Sequence, residues 1–237
     1  MHIVYRYGLL LLLAFFFVLM VQITLQYIPV RTDVAFLKIK QEYIHITPWR
    51  IAFFVHVFTS IFVLAAGFTQ FSRNVLGRYR AIHRIVGKCY VVAVLFVTGP
   101  ASFIMALLAN GGLPSRIAFT SLSVLWMYTT GKAWQTAMAK QFAAHRNWMY
   151  RSYALTLSAV TLRGWKWLLI ALFHLRPLDT YMIVSWVGFV PNLVVAEWII
   201  RRRGCSLLRR GHPSFTSKYH KNEYDKYARP RIRHPDP

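Results

Sequence analysis

Six stretches of about 20 apolar residues dominate the 237-residue sequence. An α-helix rises ~1.5 Å per residue, so each is long enough to cross a hydrocarbon core of ~30 Å. They lie near 8–28, 50–71, 85–109, 117–137, 151–173 and 180–200. The stretches are continuously apolar, whereas the strands of a membrane barrel would alternate over ~10 residues. The expected fold is therefore all-α: a polytopic integral membrane bundle of six transmembrane helices. The first stretch begins like a signal peptide, with Arg6 ahead of a leucine-rich run. It is longer than a signal core and no small-residue cleavage site follows, so it reads as a retained anchor. Three regions result: an anchor helix with its outer loop (1–48), a five-helix core (49–200) and a basic tail (201–237) expected to be disordered.

Charge decides how the bundle is oriented. The chain has 29 Lys and Arg against 7 Asp and Glu, a formal net charge of +22. A soluble nucleic-acid binder would gather such an excess on one water-exposed face. Here the charge follows the loops instead. With the N-terminus inside, 21 basic residues fall in inner segments, six in outer segments, and Arg163 and Lys166 lie within the fifth helix. Inner loops are the basic ones, so both termini are expected in the cytoplasm. Trp49, Trp134, Trp148 and Trp198 fall near the interfaces, where an aromatic belt belongs. Eleven of the inner basic residues sit in the tail, which is expected to rest on anionic lipid. No nucleic-acid partner is expected. Cys89 and Cys205 belong to no CxxC pair and read as free thiols on the reducing side.

Polar residues inside apolar helices mark candidate sites, because the bilayer makes them costly. The second-to-third connection reads RYRAIHRIVGKCY and the fourth-to-fifth reads AAHRNWMYRSY. Each carries a His-Arg pair, then a basic residue, then Tyr: His83, Arg84, Lys88, Tyr90, and His145, Arg146, Arg151, Tyr153. The bland interpretation is lipid-phosphate anchoring. The sharper one places His83 and His145 at one depth, facing each other, as ligands to a haem iron, with no other metal site. On the fifth helix, Ser152, Thr156, Ala159, Arg163 and Lys166 share one face. An Arg at helix centre costs about 2.5–3.5 kcal/mol, and no acid is expected at its depth. It therefore needs a bound anion or must snorkel to the surface. His56 and Ser60 on the second helix lie at a similar depth, so an outer pocket of His56, Ser60 and Arg163 is expected. Pro191 should kink the sixth helix beside Asn192. Glu197 should pair with Arg146, Arg151 or Arg84. Tyr128, Thr129 and Thr130 are candidates to line an inner cavity.

The string HRNWMYRSYALTLSAVTLR (145–163), with WRIAFFVHVFTSIFVLAAGFTQF, RAIHRIVGKCY and PNLVVAEW, resembles a bacterial membrane family known as domain-of-unknown-function family 2306. The resemblance spans roughly 49–200 and implies residence in the cytoplasmic (inner) membrane. Its marked residues fall on His56, His83, Arg84, His145, Arg146, Trp148, Arg151, Ser152, Tyr153, Thr156, Arg163, Asn192 and Glu197. A looser similarity is to di-haem b-type cytochromes and ferric-reductase-like bundles, which place His pairs on helices, one pair per leaflet. In this chain only His83 and His145 make a convincing pair. Three functions are consistent with these residues: a bundle that binds or transports a small anion, lipid or cofactor at a His/Arg site, a haem b electron-transfer protein, or an accessory subunit of a larger complex. The cofactor implied by the second is haem b, and an enzyme is expected only in that case, as a haem-dependent oxidoreductase.

Overall fold

The computed structural model describes residues 2–209 except 72 and 175. They fall into two compact units, divided between Glu197 and Trp198. No strand occurs among the described residues. The helices are α1 (His2–Leu25), α2 (Thr47–Gln70), α3 (Arg73–Arg78), α4 (Arg80–Val92), α5 (Gly99–Leu107), α6 (Gly112–Met138), α7 (Phe142–Thr156), α8 (Ser158–Phe173), α9 (Pro177–Val187) and α10 (Val190–Arg209). A 3₁₀ segment, Ala35–Tyr43, precedes α2, and a π-helical turn, Ala93–Thr98, joins α4 to α5.

Four helical rods are long and apolar enough to cross a membrane: Thr47–Gly67, Arg80–Leu107, Phe142–Phe173 and Leu178–Arg203. Within α1 the described apolar part, Ala14–Leu25, is shorter. Helix α6 has the length, 27 residues, but its inward face is polar. Ser115, Ser123, Thr129 and Thr130 are all buried there. The helix lies against α5, α7, α9 and the π turn. Numbered after the six apolar stretches, Arg80–Leu107 is the third rod and Phe142–Phe173 the fifth, and both begin earlier than their stretches. The added turns are amphipathic, and they carry both His-Arg pairs into helix.

Three breaks divide the rods. The kink expected at Pro191 occurs just ahead of it, at Gly188–Phe189. The freed Gly188 carbonyl accepts from Thr161 and, at 3.4 Å, from Asn192 Nδ2. The fifth rod, expected to run unbroken, is interrupted at Leu157. Thr156 bonds back to the Ser152 carbonyl at 3.2 Å, competing with the helical ladder. The π turn precedes Gly99-Pro100, where proline withholds an N–H. A Cβ on Gly99 would stand 2.2 Å from the Val94 carbonyl, so the tight turn requires glycine. Gly67 has a similar constraint, since the Tyr153 ring lies about where its Cβ would be, 1.8 Å away.

The first unit has a central core of Val63, Val94, Ala118, Trp126, Leu155 and Phe189. A second cluster, Tyr27, Leu37, Trp49 and Phe53, closes the end at which α2 begins, called here the Trp49 end. A third, Met20, Leu64 and Val160, joins α1 to α2 and α8. In the second unit the Arg202 guanidinium stacks over Trp198 at 3.8 Å. The tail from residue 210 on and the side chain of Cys205 lie outside the described residues. Cys89 is an exposed free thiol.

Candidate functional site

Two polar regions occupy the first unit. One is a buried knot of hydroxyls between α4, α6 and α7. The Tyr90 hydroxyl lies 2.7 Å from Ser152 Oγ and 2.9 Å from Thr156 Oγ1. Thr130 Oγ1 reaches the same Ser152 oxygen at 2.7 Å, and Trp126 Nε1 donates to Thr156 at 3.0 Å. Every one of these residues is buried. Of the candidates, Ser152, Thr156 and Thr130 enter the knot, whereas Thr129 bonds to carbonyls of its own helix and Tyr128 is 52% exposed.

The knot continues toward the other end. His83 precedes Tyr90 by seven residues, and His145 precedes Ser152 by seven, so each pair shares a helical face. His145 Nδ1 donates to the Ala133 carbonyl at 2.8 Å. His83 and His145 lie within Coulombic reach of each other, and His83 Nδ1 is buried without a hydrogen-bond partner. Arg84 and Arg146 are exposed beside them. No group of three metal-ligating side chains occurs among the described residues.

Glu197 meets one of its three expected partners, Arg151. The pair is bidentate, through Nε and, at 3.0 Å, Nη2. The Arg151 guanidinium also covers the Trp148 ring at 4.6 Å. Tyr153 turns away from the knot, and its hydroxyl donates to the Leu64 carbonyl at 2.9 Å. Asn192 bonds the Ala154 carbonyl at 3.1 Å and Thr161 at 3.0 Å, tying α10 across the break in the fifth rod.

The second polar region lies on the flank formed by α1, α2 and α8. His56 Nδ1 is 3.4 Å from the Thr98 carbonyl, and Thr59 and Thr98 hydroxyls are 2.8 Å apart. Ser60 Oγ bonds only to Val57 of its own helix. Arg163 is exposed on this flank, within Coulombic reach of His56 and Tyr27. Its Nη1 donates to the Ala159 carbonyl at 2.6 Å, one turn back along its own helix. No Asp or Glu pairs with it among the described residues. Lys166 is exposed.

The sequence reading passed over Lys40, counted only as an outer-loop charge. The structure buries it to 1% exposure at the Trp49 end. Its ammonium donates to the Leu108 carbonyl at the end of α5 and lies 4.4 Å from the Tyr43 ring centre. Burial, with a smaller push from Arg116, brings its pKa down to about 8, while Glu42 acts in the opposite direction. The sequence signal was weak: an amine flanked by Tyr43 and Trp49 in a short connection. Trp126 has no such signal, because an aromatic among apolar neighbours looks like core, and Tyr90 stands out only as part of the His-Arg pattern.

Helices of this length and apolarity, with polar groups turned inward, define a polytopic helical membrane protein. Within that class the chain belongs to the family described as "Predicted membrane protein (DUF2306)", which matches residues 53–200. No curated protein and no solved structure matches the chain. The matched segment holds the knot, both His-Arg pairs, His56 and Arg163, while α1, Tyr27 and Lys40 precede it.

Proposed function

We propose that the chain crosses the bacterial cytoplasmic membrane six times, with both termini inside, and binds an oxyanion at Arg163 beside His56 and Tyr27. The uneven distribution of Lys and Arg supports the orientation. It puts the Trp49 end outside and Arg163 in the outer leaflet, about 15 Å from the outer end of α8. One observation carries the ligand reading. The Arg163 side chain folds back onto Ala159, away from the nearer interface, rather than snorkelling toward it. A guanidinium at that depth with no carboxylate partner has most of its five donors free, in a fork that suits phosphate or carboxylate. The test is thermal unfolding of the purified protein in neutral detergent, titrated with phosphatidic acid. Stabilisation should be lost in Arg163→Ala and partly kept in Arg163→Lys. An Arg163→Ala protein stabilised as much as wild type would end this reading.

A second reading is haem b held by His83 and His145. The residues that would hold it are His145, oriented by its Nδ1 bond to the Ala133 carbonyl so that Nε2 would be left for iron, and His83, whose buried Nδ1 is unpartnered. Arg84 and Arg146 would face the propionates. The group would supply one-electron transfer, and the protein would supply His83 and His145 as its ligands. Protein expressed with added haem precursor should then show a Soret band that His145→Ala abolishes. A colourless preparation with no pyridine haemochrome would remove haem from consideration.

A further inference from the structure

The flank around Arg163 has a shape that limits what can reach it. Phe16, Phe17 and Met20 form one stripe of α1, and Tyr27 follows in the turn after the helix. Opposite them stand Ile61 and Leu64 of α2, Leu157 at the break in the fifth rod, and Ala159 and Val160 of α8. Arg163 follows Val160 by three residues, so it stands on the same face, one turn closer to the Trp49 end. The seam is thus closed by buried apolar contacts, with a polar group exposed at its edge.

Access from water is closed at that end. Tyr27 and Phe53 meet edge to face at 5.2 Å, Phe53 stacks on Trp49 at 5.7 Å, and Phe36 stacks on Phe53 at 6.1 Å. Leu37 is fully buried beneath them. Lys40 pins this cap to the end of α5 through Leu108. Access from the side is open, because Arg163 itself is exposed on the flank and the α1 surface beyond the stripe is apolar, with Phe15 and Val18 exposed. The third wall, α1, lies before the family-matched residues.

We infer that the ligand of this seam is a membrane amphiphile with an oxyanion head, a phosphate or a carboxylate, that enters sideways from the outer leaflet between α1 and α8. The inference rests on the oxyanion reading of Arg163. Its chain lies along the exposed apolar surface beside the seam, where Phe15 and Val18 of α1 and Trp167 of α8 stand outward, and its head meets the Arg163 fork. A soluble anion with the same head chemistry would have to pass the aromatic cap.

The experiment uses the full chain in nanodiscs of zwitterionic lipid with a photoactivatable fatty acid, mapping the labelled peptides. Labelling is expected in 16–27 and 157–163, reduced at least fivefold by excess phosphatidic acid and unaffected by 10 mM inorganic phosphate (both on the order of ordinary competition conditions). Arg163→Ala should reduce it similarly. Ala159→Phe, which fills the seam, should do the same, with circular dichroism and thermal unfolding checking that the variant folds. Uniform labelling of all exposed helices would overturn the inference. Competition and thermal stabilisation by inorganic phosphate would overturn sideways entry while leaving the oxyanion site standing. Wild-type behaviour of Arg163→Ala toward both probes would remove the site itself.

Discussion

The hydroxyl knot and the Arg163 seam are both polar regions inside a membrane protein, yet they make opposite use of their polarity. In the knot, Tyr90, Thr130, Ser152, Thr156 and Trp126 meet one another, and each hydroxyl has a protein partner. In the seam, Arg163 bonds a carbonyl already used by its own helix, and Ser60 does the same. A buried polar group with its capacity met fixes the packing of helices. One with capacity to spare has a free energy that a ligand can lower. The contrast, between polar groups that meet one another and one proposed to meet a ligand, can be tested by mutation.

The largest effect is expected between the two regions, where α2 crosses α7. Gly67→Val would drive a side chain into the Tyr153 ring and break its bond to Leu64. Overpacking of this kind costs about 1–3 kcal/mol. The variant should yield little folded protein by size-exclusion chromatography. Next comes the knot itself. Thr156→Val strands the Trp126 N–H and removes one partner of Tyr90. A loss of about 1–2 kcal/mol is expected in detergent unfolding, with ligand-induced stabilisation unchanged. If that variant also lost its ligand response, the two regions would not be separable. Arg163→Ala should show the reverse, with basal stability shifted by less than about 0.5 kcal/mol and the ligand response gone.

The smallest effect concerns the cap. Lys40 has a folded-state pKa of about 8, below its ordinary value of 10.5. The unfolded chain therefore binds more protons between those values, and stability should rise as pH increases through that window. The penalty of burying the charge is fully present below pH 8. Wild type should gain a few degrees in Tm from pH 8 to pH 10 relative to Lys40→Met, at about 2–4 °C per kcal/mol for a protein of this size. Parallel curves for the two proteins would show that Lys40 does not carry the cap's pH response.

Much of this was legible in the sequence for a simple reason: the bilayer demands long apolar helices, and 3.6-residue periodicity then says which polar residues share a face. Ser152 with Thr156 could be paired that way, whereas His56 with Arg163 and His83 with His145, on different helices, could be matched only by expected depth. So could the choice of three arginines for Glu197, though only packing selects Arg151. What periodicity could not supply was the breaks. The interruption at Leu157 depends on where the Thr156 hydroxyl finds its partners, and the π turn depends on how Pro100 and Gly99 are accommodated. Helix α6 was read as one more apolar stretch, yet its buried serines and threonines make it the polar spine of the unit. Lys40 was hidden because its surroundings, Leu108 and Arg116, are distant in sequence.

The π turn at Ala93–Thr98 has one more consequence, best put in terms of phase. A single extra residue in a helix advances everything after it by about 100°. The third rod is thus a shaft in two sections, the second indexed one step relative to the first. The indexing lets Tyr90 address α7 while Thr98, eight residues on, presents its carbonyl to His56 and its hydroxyl to Thr59 on α2. Deleting one residue of the turn would restore a uniform helix and rotate Thr98 and Ser102 out of register with their partners on α2 and α6, although no contacting side chain had been changed.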